Sequence, residues 1–197
     1  MEPSKNETYG SQEYWQARYR EPGGVYEWCL GYAALSAYFD RLLPIRGTRC
    51  KSDLKIVMLG CGNSALAEDM YDDGYRCITS IDYAQNVIDA MSARNALSRP
   101  ELQWLQADVR NLPLPDASID ICIDKATMDV FFAAAGSKLD PWNPPASVIE
   151  NCNREIDEVV RVLKPDGCFI YVTFGRHDRA ALPKASHDTT RLDNRHV

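Results

Sequence analysis

Three carboxylates close three apolar runs: Asp82 after residues 77–81, Asp108 after 102–107 and Asp124 after 119–123, with Lys125 beside the last. An acid at the carboxyl end of a parallel strand lies on the edge where open α/β sheets bind ligands. There it can accept from ribose hydroxyls, as Asp82 is placed to do, or from an exocyclic amine, as Asp108 is, with the neighbouring Val109 against a ring. Asp82 follows Gly60 by 22 residues, near the spacing of about 20 expected of a ribose-holding acid after a glycine turn. The same side chain is also placed to cap the helix expected over residues 84–95.

The glycine turn itself is Gly60-Cys61-Gly62-Asn63-Ser64, and it follows the apolar run 56–59 directly. A ligand can approach such a backbone more closely than a Cβ would allow. The third glycine of the dinucleotide fingerprint is absent, which favours another adenosine-bearing cofactor over a pyrophosphate on the helix end. Taken alone, two glycines are equally well explained as a tight strand-to-helix turn without a ligand. Other chemistries find little support. The three histidines, His177, His187 and His196, are spread through the last stretch of the chain at no metal-ligand spacing. No nucleophile elbow and no phosphate-binding GxxxxGK[ST] loop occurs.

The elements that must position these acids follow from periodicity and turn chemistry. Strands are predicted at 56–59, 77–81, 102–107, 119–123 and 168–173, the last preceded by the turn Lys164-Pro-Asp-Gly167. Helices are predicted after the glycine turn with Asn63 or Ser64 as N-cap, over 84–95, over 127–135, and from an N-cap at Ser147 along Val148, Ile149, Ile156, Val159, Val160 and Leu163. Gly74 ends the first of these, and residues 139–145, with Trp142, form a loop facing the ligand edge. Upstream, Ser11 caps a short helix that carries Trp15 and Tyr19 on one face, Tyr26 and Trp28 follow a Glu-Pro-Gly-Gly break, and 31–43 reads as an amphipathic helix stopped by Pro44. These aromatics suit either a flap packed on the domain or a lid over an adenosine cofactor. The alternation of strand and helix predicts an α/β fold with a doubly wound parallel sheet.

Composition agrees with one compact unit. The chain has 197 residues, 45% hydrophobic and 25% charged, with a formal charge of −6. An acidic chain without a basic cluster argues against nucleic acid or an anionic membrane as partner and permits a lysine-bearing protein surface. No run reaches the roughly 18 apolar residues of a membrane span, and the first residues carry neither a signal-peptide core nor a basic transit helix, so a cytoplasmic protein is expected. Seven cysteines without a CxxC pair read as reduced, mostly buried thiols.

The run LGCGNSALAEDMYDDGY, followed by ITSIDYA, QADVRNLPLPDASIDICIDKATMD and EVVRVLKPDG, resembles class I S-adenosylmethionine-dependent methyltransferases. Together with EYWQARY, the segments LGCGNS and DKATMD resemble the methyltransferase-like group that contains the elongation factor 1-alpha lysine methyltransferases. The resemblance covers roughly residues 10–173. It implies a Rossmann-like methyltransferase sheet, S-adenosyl-L-methionine as cofactor and a protein lysine as acceptor, with elongation factor 1-alpha the candidate substrate. By the same resemblance Trp15, Tyr19 and Tyr26 are the aromatic contacts to the cofactor and Gly60 lies under its methionine part. Asp82 and Tyr83 hold the ribose, Asp108 and Val109 the adenine, and Lys125 lies beside the methionine or the substrate mouth. No catalytic base is assigned, since methyl transfer from a sulfonium asks mainly for alignment and desolvation.

The resembled family continues into a sixth and a seventh strand, for which residues 175–197 give no signal. The expectation is therefore a methyltransferase domain over 1–174, with 1–50 as a helical lid, a sheet lacking its last two strands and an irregular tail over 175–197. An open sheet edge then predicts weak activity alone and self-association. The rival readings are a cofactor-binding but inactive or partner-dependent relative and an NAD-type oxidoreductase.

Overall fold

A computed structural model describes residues 6–20, 26–43, 50–136, 140 and 143–174. Its centre is a parallel sheet of five strands, β1 (Lys55–Leu59), β2 (Cys77–Asp82), β3 (Gln103–Gln106), β4 (Ile119–Lys125) and β5 (Leu163–Val172), in the order β3-β2-β1-β4-β5. The central strands are apolar on both faces. Ile56, Met58, Ile121 and Ile123 pack on one side with Leu35 and Phe39 of α2 (Tyr32–Leu42) and Leu66 and Met70 of α3 (Leu66–Asp72). On the other side Val57, Leu59 and Cys122 meet Val148, Cys152 and Val159 of α6 (Ala146–Val162). Covering both faces is what a parallel sheet requires, and it explains the near-continuous apolar runs.

Of the remaining helices, α4 (Gln85–Asn95) packs on β2 and β3 and reaches Glu68 of α3 through Asn95, α5 (Thr127–Ala134) lines the ligand edge, and α1 (Gln12–Arg18) lies over that edge. The sheet order reverses at β1, between β2 and β4, so this edge is a topological switch point, the usual place for a crevice in an open α/β sheet. Register keeps the strand ends level, with Leu59 opposite both Ile81 and Asp124.

Several local expectations need correction. The helix after the glycine turn starts at Leu66 rather than at 64 or 65, and its first free N–H groups are satisfied by Glu27 Oε1, which accepts from Ala65 at 2.7 Å, and by Ser64 Oγ, which accepts from Leu66 at 3.1 Å. Ser147 lies inside α6, whose N-cap is Pro145. The buried stripe of that helix runs through Val148, Cys152, Glu155, Ile156, Val159 and Val162, while Ile149 and Val160 are exposed, because 3.6-residue spacing from Val148 selects the former set. The Lys164-Pro-Asp-Gly167 turn sits within β5: Leu163 pairs with Ile119 and Cys168 with Ile121, leaving 164–167 as an irregularity in one strand. Among the cysteines, Cys122 and Cys152 are buried, Cys50 and Cys77 exposed and the other three intermediate, so "mostly buried" overstates the pattern. The Glu-Pro-Gly-Gly break, Pro44, Trp142 and the expected tail at 175–197 with its three histidines lie outside the described residues.

Candidate active site

The carboxyl ends of β1, β2 and β4 open into a cavity of about 540 Å³, within the roughly 300–1,000 Å³ usual for small-molecule sites. Trp15, Tyr19, Tyr26, Gly60, Asp82, Tyr83, Asp108, Val109 and Lys125 all line it, so the structure brings every sequence-derived candidate to one place.

The glycine turn forms the floor. Gly60 and Gly62 both have left-handed φ values, +62° and +52°, and neither has room for a side chain. A Cβ at Gly60 would lie 2.1 Å from Thr127 Oγ1, and one at Gly62 would lie 2.6 Å from the Tyr19 hydroxyl oxygen. Thr127 closes the turn from the other side, its hydroxyl donating to the carbonyl of Leu59 at 2.8 Å.

Asp82 is 5% exposed and accepts from the Gly62 N–H at 2.9 Å and the Ala84 N–H at 2.9 Å. It thus ties the glycine turn to the start of α4, combining the capping and ligand-side placements considered above. Burial raises its pKa above the ordinary carboxylate value, and the backbone N–H groups oppose that rise. Both carboxylate oxygens keep acceptor capacity beyond one backbone bond each.

Asp108 is held differently. Arg110 donates to it from Nε at 2.9 Å and from Nη2 at 2.6 Å, the Arg110 backbone N–H adds a bond at 2.9 Å, and Arg110 Nη1 reaches Asn151 Oδ1 at 2.6 Å. Burial, the largest influence on Asp108, pushes its pKa up, but the Arg110 bonds outweigh it and leave it below the usual range. Asp108 is therefore a fixed anion on the cavity wall, oriented by its neighbour.

Lys125 is 8% exposed at its side chain and is not free. Its ammonium donates to the Trp28 carbonyl at 2.9 Å and pairs with Glu27 Oε2 at 3.5 Å. With Glu27 Oε1 on the Ala65 N–H, this pins the segment around Trp28 at two points, one on α3 and one on β4. Cys29, next in the chain, has φ +63°, a strained value for a residue with a side chain. Aromatic packing completes the cover. Trp15 stacks on Tyr19 at 5.7 Å, Tyr26 and Trp28 meet edge to face at 4.9 Å, and Trp28 reaches Phe174 at 6.4 Å. The Trp15 indole donates to the Tyr9 carbonyl at 2.6 Å, and Gln12 Nε2 donates to the Tyr83 carbonyl at 3.0 Å. Burial, then the Asp82 charge, raises the pKa of Tyr19 well above its ordinary value, so it stays a hydroxyl donor over the glycine turn.

Sequence reasoning passed over Glu27, Arg110, Thr127 and Asn151. Thr127 had a signal, its position just after the third strand-ending acid. Glu27 had none, because helix caps are sought a few residues from the helix and this one comes from 38 positions away. Asp129 also lines the cavity. It accepts from Tyr171 Oη at 2.6 Å, Thr173 Oγ1 at 2.5 Å and the Phe174 N–H at 3.0 Å, fastening the end of β5 to α5. Among the described residues no group of three or more His, Cys, Asp or Glu side chains is arranged to hold a metal ion.

Comparison with known proteins gives this geometry its context. Residues 57–171 match the family model described as "Methyltransferase domain". The chain is 36% identical over 173 residues to EEF1A lysine methyltransferase 4 of Mus musculus, covering 87% of this chain and 64% of the relative. It is 30% identical over 175 residues to the eEF1A lysine and N-terminal methyltransferase of Homo sapiens, covering 88% of this chain and 23% of that protein. The chain thus spans just under two thirds of the first relative and about a quarter of the second. Among solved structures, the PH0226 protein of Pyrococcus horikoshii OT3 superposes with a TM-score of 0.51 at 23% identity, over 71% of this chain and 55% of that one, a likeness of fold.

Proposed function

The chain belongs to the methyltransferase domain family, whose cofactor is S-adenosylmethionine, and from that premise we propose that it methylates lysine in a protein. The observation that carries the reading is the convergence, on one cavity, of a glycine turn with no room for a Cβ, a buried acid tied to that turn, and an aromatic cover. The residues fit the cofactor chemically. Asp82 and Tyr83 would hold the ribose, Asp108 and Val109 the adenine edge, and Gly60 the methionine part, with Trp15, Tyr19 and Tyr26 above. Lys125, being tied to Trp28 and Glu27, would act on the cofactor mainly by holding the cover in place.

When bound, the sulfonium supplies an electrophilic methyl group and leaves as a neutral thioether. The chain's own residues then have to align an amine about 3 Å from that methyl and keep water away. The lysine nitrogen must lose a proton before its lone pair can form the new bond, and apolar burial under Trp28 and Phe174 favours the neutral amine. No side chain has to form a covalent bond.

The acceptor is suggested by the names of the relatives, which are eEF1A lysine methyltransferases. A translation factor as substrate would set the protein to work in the cytoplasm. Self-association is a subsidiary proposal, supported by β5, which has no described strand on its outer side. Sedimentation velocity of the full chain tests it, a monomer at all concentrations being the contrary result.

The deciding experiment incubates the full chain and eEF1A with S-adenosylmethionine carrying a radiolabelled methyl, then maps the label by mass spectrometry. Label on a lysine side chain is expected. Label confined to another residue type, or none although S-adenosylmethionine binds, would contradict the lysine assignment.

A further inference from the structure

The candidate site leaves one fully buried acid unexplained. Glu155 lies on the inner face of α6 and Asp124 at the end of β4, and both are 0% exposed. Among the described residues no N–H or O–H group reaches either oxygen of Glu155, yet its side chain is in hydrogen-bonding contact with Asp124. Asp124, in contrast, is well supplied with donors: it accepts from the Thr127 N–H at 2.7 Å and from the Met128 N–H at 2.9 Å.

Two carboxylates in contact inside a core cannot both be ionised, and one proton must lie between them. It belongs on Glu155. The two backbone N–H groups stabilise the anion on Asp124, whereas Glu155 has nothing but Asp124 to bond and can do so only as a donor. Burial, then the Asp124 charge, raises the pKa of Glu155 well above its ordinary value. Of the other groups around the pair, Asp129 on α5, which faces Asp124, and Asp108 in the loop after β3, which faces Glu155, disfavour a second negative charge and Arg110 opposes them, while Cys122 on β4 and Cys152 on α6 are thiols that burial keeps uncharged.

The pair sits directly behind the cavity. Asp124 fixes the first turn of α5, Thr127 opens that helix, and the Thr127 hydroxyl bonds the carbonyl of Leu59 at 2.8 Å and closes on the left-handed Gly60. We infer that Glu155 is a positioning residue for the cofactor cavity: its un-ionised carboxyl donates to Asp124, and through Asp124 and Thr127 it holds the glycine turn in its binding shape. Because this rests on the cavity being the S-adenosylmethionine site, the probe is S-adenosylhomocysteine, followed by calorimetry without any acceptor.

The full chain is compared with Glu155→Gln, which keeps a donor but cannot ionise, and with Glu155→Leu, which has no donor. At pH 7 the wild type and Glu155→Gln should bind alike, and Glu155→Leu roughly tenfold more weakly, the effect of about one lost hydrogen bond. As pH rises from 7 to 10 the wild type should weaken relative to Glu155→Gln, since an ionised Glu155 repels Asp124. Taking that ratio cancels titration of the ligand's own amine. Equal affinities for the Gln and Leu variants, a wild-type to Gln ratio that stays constant with pH, or a Gln variant as impaired as Leu would overturn the inference. If Glu155→Leu does not fold, the Gln variant and its pH profile decide alone. A wild type that fails to bind S-adenosylhomocysteine at pH 7 would instead remove the functional reading beneath it.

Discussion

The floor and the cover of the cavity are built by different physics. The floor is made of strand ends and one turn, held by hydrogen bonds between residues near in the sheet: Asp82 to Gly62, Asp124 to Thr127, Thr127 to Leu59. The cover is made of rings in edge-to-face and stacked contact, pinned at Ala65 and at Lys125 by polar bonds from Glu27 and Trp28. Buried hydrogen bonds to fixed backbone groups are short-ranged and geometrically strict, while ring packing tolerates sliding. The floor should therefore carry the fold and the cover should carry cofactor retention.

The largest expected effect is on the floor. Gly60→Ala must place a Cβ against Thr127 at a φ of +62°, and should lower stability by about 2–5 kcal/mol, read as a drop in thermal midpoint. A midpoint unchanged from wild type would mean the floor is not rigid. Next, Asp82→Ala should cost about 1.5–3 kcal/mol in S-adenosylhomocysteine affinity, with some loss of stability because two backbone N–H groups lose their acceptor. Full affinity in a folded Asp82→Ala protein would take the ribose away from this residue.

The cover should show the opposite balance. Removing residues 1–22 takes away Trp15 and Tyr19 and should weaken binding about tenfold or more, with little change in the midpoint of the remaining sheet. Cofactor should also slow proteolysis of this segment in the intact chain. A truncation that unfolds the domain would make the cover part of the core. Lys125→Met should be milder. By freeing the Trp28 carbonyl and taking the cation from Glu27, which keeps its bond from the Ala65 N–H, it should weaken binding by about 1–2 kcal/mol and speed cleavage near residue 28, and unchanged cleavage would show that aromatic contacts suffice.

The smallest effect concerns the Asp108–Arg110 clamp. The folded-state pKa of Asp108 lies below its ordinary value, so the stability it contributes is present above about pH 4, the unfolded value, and is lost as pH falls through the folded value. Arg110→Met should remove that acid-range slope, lowering stability at neutral pH by the same small amount and leaving it little changed below the folded value, and identical acid titrations would show the clamp contributes nothing.

The floor was legible in the sequence because most of its parts are local. Each apolar run adjoins the acid that closes it or the two glycines that follow it, and period and spacing report them, whereas Thr127, bonded to Leu59 from 68 positions away, was not reported. Asp82 shows this best, its place relative to Gly60 being a consequence of one strand, one turn and one helix. The cover was legible only as a group of aromatics without a stated arrangement. Glu27, Trp28 and Lys125 act across long separations, and no local pattern announces that a lysine at a strand end will spend its charge on a carbonyl 97 positions earlier. Glu155 was hidden for another reason: on a helix its spacing marks the buried face, and an acid on a buried face reads as an interruption until its partner is seen.

The claim that this cavity takes S-adenosylmethionine and not a dinucleotide is tested most directly by titrating the full chain, in parallel, with S-adenosylhomocysteine and NAD, for wild type and Asp82→Ala. Saturable binding of S-adenosylhomocysteine alone, weakened at least tenfold by Asp82→Ala, is the predicted result. Binding of NAD in its place, or S-adenosylhomocysteine binding indifferent to Asp82, would contradict it.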